Sequence, residues 1–193
     1  MAPPGAGGGP IAPGWLSSGQ TRRQAALKPE PLAGPPDTGA RAVVIIEDVA
    51  VQRMHHVGIV VDDLAAATEF FAELGLAPQG EAPVGGDWVD RVVGLEGVRA
   101  DIVMLRTPDG HGRVELTKFH SPPIERENRL APVNTSGIRH ISFVVEDIDG
   151  VVAGLRARDA ELVGELERYE DTYRLCYVRG PEGIIIELAE QIG

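Results

Sequence analysis

Two histidines and two glutamates are the residues of this sequence best placed to do chemistry. His56 opens the run His56-Val57-Gly58-Ile59-Val60-Val61-Asp62-Asp63-Leu64. His140 opens a second run, His140-Ile141-Ser142-Phe143-Val144-Val145-Glu146-Asp147-Ile148, at an offset of 84 residues (140 minus 56). His, Val, Val and Asp recur identically between the two, and Asp62/Glu146 and Leu64/Ile148 recur in kind. The copies also close alike. Pro108-Asp109-Gly110 precedes Val114-Glu115-Leu116, and Pro181-Glu182-Gly183 precedes Ile186-Glu187-Leu188. Imidazole nitrogen and carboxylate oxygen are ligands for Ni, Co, Zn, Mn or Fe as divalent ions. Two neutral nitrogens and two anionic oxygens would leave such a site electrically neutral. His56, Glu115, His140 and Glu187 are therefore the predicted ligands of one divalent metal ion. The gaps between them are 59, 25 and 47 residues, so no pair sits at local spacing such as HxxxH. What carries the reading is the doubled context: the same residue type at the same end of an element, twice. A carboxylate between Val114 and Leu116, or after Ile184-Ile185-Ile186, is also costly to bury without a partner.

The elements that must position these residues repeat as well. His55 to Val61 is β-branched and short, a strand signal, with His56, Gly58 and Val60 on one face. Strand parity turns His55 to the other face, which predicts a structural role for it. Asp62 or Asp63 can cap a helix from Leu64 to about Leu74, whose Leu64, Ala67, Phe70, Phe71 and Leu74 fall at helical spacing. Leu76 to Glu81 is a second strand, Pro83-Val84-Gly85-Gly86 a loop, Val98 to Arg106 a strand, and Arg113 to Phe119 its return. Val89 to Leu95 has no clear period, and Arg91 within it could face a cavity. In the second copy, Arg139 to Val145 is a strand and Asp147 or Asp149 caps a helix to about Arg158. Strands at Glu161–Glu165, Thr172–Arg179 and Ile184–Ala189 complete it. His111 and His120 fall in predicted loops. Each copy reads as strand, helix, then three strands, an α+β class with two packed, curved, mostly antiparallel sheets. The expected boundaries are 54–120 for the first module, 121–136 for a linker and 137–193 for the second.

Composition bounds what the chain can do. It has 193 residues, is 43% hydrophobic and carries a formal charge of −11, with a sequence pI near 4.9. An acidic surface repels phosphate backbones, so no nucleic-acid partner is expected. No apolar run approaches the roughly 20 residues that span a bilayer, and the N-terminus lacks a basic-then-apolar signal order. The single cysteine, Cys176, fits a reducing compartment and a small buried filler. A cytoplasmic location and no membrane partner follow as expectations. Residues 1–40 hold 8 of the 15 prolines and 8 of the 24 glycines, without apolar periodicity. The stretch 1–42 reads as a disordered tail, and Val43–Ile46 marks a possible extra strand within 43–53.

Residues 54 to 191 resemble the vicinal oxygen chelate superfamily, which includes glyoxalase I, methylmalonyl-CoA epimerase, extradiol dioxygenases and fosfomycin- or bleomycin-resistance proteins. The matching motifs are His56-Val57-Gly58-Ile59-Val60 with Asp63-Leu64, Val114-Glu115-Leu116, Arg139-His140-Ile141 and Ile186-Glu187-Leu188. The resemblance implies paired βαβββ modules whose sheets form a cupped site, with metal ligands from both modules. Glyoxalase I-like members use four ligands in the order His, Glu, His, Glu, which matches His56, Glu115, His140 and Glu187. Ring-cleaving members use two His and one Glu, which would leave Glu115 unused. Metal-free, antibiotic-sequestering members lack the set.

The implied chemistry is metal-assisted proton transfer: a Lewis acid on a carbonyl, an enolate-like charge, and a carboxylate beside the carbon. Glu115, Glu187 or Glu96 is the expected base, Glu96 because its context is similar to a catalytic Glu of the epimerases. Arg91, Tyr173 and Arg174 are the expected grips on a carboxylate, phosphate or thioester-linked substrate. A divalent-metal-dependent lyase or isomerase acting on a small α-oxygenated carbonyl or acyl thioester is expected, as a homodimer. The alternatives are a ring-cleaving dioxygenase and a metal-free ligand-binding protein.

Overall fold

Two short aspartates set the frame. Asp63 accepts a hydrogen bond from the Ala66 N–H at 3.0 Å, and Asp147 accepts one from the Gly150 N–H at 2.9 Å. Each caps a helix that leaves the end of a first strand. These features belong to a computed structural model that describes residue 51 and residues 53–125 and 129–193. The expected tail (1–42) and the Val43–Ile46 strand lie outside the described residues.

The first half runs β1 (Val57–Val60), α1 (Leu64–Glu73), β2 (Ala77–Gly85), α2 (Asp87–Val93), β3 (Arg99–Arg106) and β4 (Arg113–Ser121). Its sheet has the order β1-β4-β3-β2, with β1 parallel to β4 and the other pairs antiparallel. The second half runs β5 (Ile141–Val145), α3 (Ile148–Arg156), β6 (Glu161–Leu162), β7 (Glu167–Tyr169), β8 (Tyr173–Arg179) and β9 (Ile185–Gln191), with a 3-10 turn at Pro181–Gly183 before β9. Its sheet has the order β5-β9-β8-β6, with β7 also paired to β8, and β5 is parallel to β9. The α+β class with two mostly antiparallel sheets is thus present.

Two local expectations are corrected. Pro83 to Gly85 lies inside β2 rather than in a loop. Because β2 is an edge strand, its Pro78 and Pro83 need no N–H for a second neighbour. The unassigned stretch near Val89 is the seven-residue helix α2, with Asp87 and Asp90 in its first turn and Gly94 closing it in the left-handed region at φ 72°.

Residues His55–Gly193 form one compact unit around a single apolar core. Val103, Leu105, Val114 and Leu116 contribute one wall from the first sheet, and Cys176, Val178, Ile186 and Leu188 another from the second. Helices α1 and α3 pack on one another and on these walls. Phe71 is fully buried, with its ring centroid 6.4 Å from that of Phe143 on β5. Phe70 leaves no space for a side chain at Gly180, where a Cβ would fall 2.5 Å from the ring. Arg158, in the turn just after α3, reaches Glu73 of α1 at 2.9 Å. Phe71→Ala is expected to cost about 3–5 kcal/mol of unfolding free energy, read by urea denaturation, because it empties a site shared by both halves.

A polar latch closes the same boundary. The Glu182 carboxylate accepts from the backbone N–H groups of Asp62 and Asp63, both at 2.7 Å, at the entry to α1. Glu182 sits at φ 57°, a conformation rare for a residue with a side chain, and those two bonds help hold it there. Arg129 spans to Asp62 at 2.7 Å and to Glu182 at 3.5 Å.

Candidate functional site

The register of the strands places each glutamate beside its histidine. On parallel strands β1 and β4, Gly58 lies opposite Glu115; on β5 and β9, Ser142 lies opposite Glu187. Gly58 and Ser142 each follow a histidine by two residues, and the distances show the histidines beside those glutamates. The His56 Nε2 is 4.0 Å from a Glu115 carboxylate oxygen, and the His140 Nε2 is 3.5 Å from one of Glu187. Side-chain exposures run from 21% at Glu115 to 39% at His140, so all four are sheltered but open to solvent on one side. Donors about 2.1 Å from an ion, at angles of 90° to 110°, stand roughly 3.0–3.4 Å apart. Each pair therefore comes close to two adjacent positions on one ion. The chemistry of the donors fits a divalent cation.

The structure does not bring the four together. Among the described residues no group of three or more His, Cys, Asp or Glu converges as a ligand cluster. Both pairs lie on the sheet faces opposite the shared core. Those faces also expose Val60 (50%) and Val144 (77%), apolar strand residues at the same 84-residue offset. Each pair is half of the expected set, beside an uncovered apolar strand.

Tyr177 escaped the sequence reading. It lies opposite Glu187 across β8 and β9, and its ring centroid is 5.0 Å from that of His140. No motif marks it, because the contact depends on the register between β8 and β9. His55 is turned toward His56 rather than away: the two Nδ1 atoms are 2.7 Å apart. Both precede β1, so strand parity does not govern them. One ring must donate and the other accept, which fixes opposite tautomers at that contact. His120 is not in a loop but on β4, 2.7 Å from Asp101 on β3. His111 is exposed in the β3–β4 turn.

Among the described residues, the remaining predicted ones make no hydrogen bond or ion pair with the two pairs. Glu96 is exposed in the loop between α2 and β3, and Arg91 is exposed on α2. Tyr173 is half-buried at the start of β8. Arg174 is committed elsewhere. Its guanidinium grips Asp149 of α3 in a two-pronged bond (2.8 and 2.9 Å) and reaches Glu190 of β9 at 3.0 Å. The hydrogen bond from Arg174 holds the Asp149 carboxyl below the usual Asp value, and Asp149 raises Arg174 in turn. A depressed carboxyl stabilises the fold above the ordinary Asp range, and that contribution fades as the pH falls toward acid. Burial pushes the Cys176 thiol up, away from thiolate chemistry.

The Glyoxalase/Bleomycin resistance protein/Dioxygenase superfamily model matches residues 53–188. The chain belongs to this superfamily. A glyoxalase family protein from Bacillus cereus, known from its crystal structure, is 49% identical and superposes with a TM-score of 0.74, covering 77% of this chain and 99% of that one. A 2-epi-5-epi-valiolone epimerase from an Actinomyces species is 31% identical over 145 residues, 70% of this chain and 77% of the epimerase. The protein YaeR of Escherichia coli (strain K12) is 27% identical over 74% of this chain and 99% of its own length. The trypanothione-dependent glyoxalase I of Leishmania major shares the fold at a TM-score of 0.50 and 22% identity, covering 72% of this chain and 87% of that one. Among the described residues, no helix is long and apolar enough to cross a membrane.

Proposed function

We propose that this protein is a divalent-metal-dependent lyase or isomerase that moves a proton next to a carbonyl, on a small α-oxygenated carbonyl compound or acyl thioester. The observation that carries this reading is the pair of equivalent His–Glu contacts at 4.0 and 3.5 Å, one per half of the chain. His56, Glu115, His140 and Glu187 would hold the ion. When bound, the ion supplies Lewis-acid polarisation of the substrate oxygens. The chain's own work is then to orient, shelter and move a proton. Glu115 or Glu187 is the nearest carboxylate for proton transfer, while the exposed Glu96 would have to move with its loop. The epimerase among the relatives supports an isomerising member of the family.

A homodimer would complete the site. The two pairs lie on sheet faces away from the common core, so a second copy laying its other half over each face brings the sets together. It would also cover Val60 and Val144, which are exposed at the same offset in each half. The halves of the site are thus contributed by different copies.

Glu115 separates this reading from a ring-cleaving dioxygenase, which would need only His56, His140 and Glu187. Glu115→Ala is expected to lower metal occupancy about tenfold or more, measured by elemental analysis of purified protein. Full occupancy together with substrate-dependent oxygen uptake would overturn the four-ligand assignment. Tyr177→Ala is expected to loosen the His140 ring and weaken metal affinity about tenfold, without loss of fold, read by competition with a chromophoric chelator.

A further inference from the structure

We infer that His55 is a positioning residue for the metal site: its Nδ1 accepts the Nδ1–H of His56 and holds that ring with Nε2 free for an ion. This rests on the reading of His56 as a ligand. Residues 55 and 56 precede β1, so no strand alternation separates their side chains. The two Nδ1 atoms stand 2.7 Å apart, a hydrogen-bond distance. The rings meet edge to face, with centroids 5.0 Å apart and planes at 76°.

Two neutral imidazoles joined Nδ1 to Nδ1 have only two proton arrangements. The other nitrogen of His56 chooses between them. Its Nε2 faces Oε2 of Glu115 at 4.0 Å, while Oε1 of the same carboxylate accepts from the Thr117 hydroxyl at 3.5 Å. A nitrogen that binds a cation must offer its lone pair, so the His56 proton belongs on Nδ1. His56 then donates, and His55 accepts with its own proton on Nε2. A hydrogen bond behind a ligating imidazole fixes its tautomer and direction and makes it a stronger base. In the second half the equivalent position is Arg139, a donor that cannot accept, and the His140 ring lies instead beside that of Tyr177. The acceptor is thus peculiar to the first half.

The test measures the affinity of the full chain for zinc ion by competition with a chromophoric chelator. Nitrogen-15 NMR of the zinc-loaded protein reads the histidine tautomers. His55→Phe keeps a ring against His56 but loses the acceptor, and is expected to weaken zinc binding about tenfold or more. His55→Asn places Oδ1 where Nδ1 stood, and is expected to bind zinc as the parent does. In the parent, His56 should carry its proton on Nδ1 and His55 on Nε2. Without metal, His55→Phe should melt with the parent, since His55 is exposed. The proposal is overturned by zinc affinity that survives His55→Phe, by His55→Asn binding as weakly as His55→Phe, by the opposite tautomers, or by a lower metal-free melting point in His55→Phe. His56→Ala separates the two readings. If it leaves zinc affinity unchanged, the ligand assignment falls and this inference with it. If it removes zinc binding while His55→Phe does not weaken it, only the role of His55 falls.

Discussion

His140→Ala is expected to strip the divalent ion and lower turnover by about a thousandfold or more. Losing the ion forfeits several kcal/mol of stabilisation of charge developing on the substrate oxygen, and each 1.4 kcal/mol is about tenfold in rate. The same substitution leaves Glu187, 23% exposed, facing an empty position. Structural damage should be small, because the His140 side chain is 39% exposed and outside the core. The readouts are metal content by elemental analysis and deuterium uptake from D2O into a panel of α-hydroxy carbonyl compounds and acyl thioesters. His56→Ala should behave alike. A variant that keeps its ion and its exchange rate would remove that histidine from the proposed ligands.

Mixing the two inactive variants gives the second large effect. In a dimer with composite sites, a His56→Ala chain beside a His140→Ala chain carries both lesions in one site and none in the other. Half of randomly assembled dimers are mixed, and one of their two sites is intact, so about a quarter of wild-type activity should return. If each chain held its own complete site, mixing would restore nothing. The expected recovery is thus from under one thousandth to about one quarter, measured after unfolding and refolding the two variants together. Recovery near zero, with dimers present by light scattering, would place the whole site within one chain.

Much of this architecture was legible because the chain states it twice. The run from His56 and its copy from His140 fixed both first strands, and Asp63 and Asp147 fixed the starts of α1 and α3. The pairing of each His with its Glu could not be read from gaps of 59 and 47 residues, since it follows from the parallel register of β1 with β4 and β5 with β9. Elements without strong periodicity are the ones whose structure departs from the sequence pattern. Pro83 and Gly85 look like a loop until an edge position makes the missing donor of Pro83 harmless, while Gly86 does lie in the bend before α2. Helix α2 has only seven residues, too few for a helical period to stand out. Arg174 drew attention as a substrate grip, but its partner Asp149 lies 25 residues away, across the β8–α3 contact.

An anomalous-scattering map from crystals of protein purified without added metal or chelator bears most directly on the four-ligand site. One peak per site is expected, within bonding reach of His56 and Glu115 of one copy and of His140 and Glu187 of the other. No peak, or a peak bound elsewhere while these side chains bond only to one another, would contradict it.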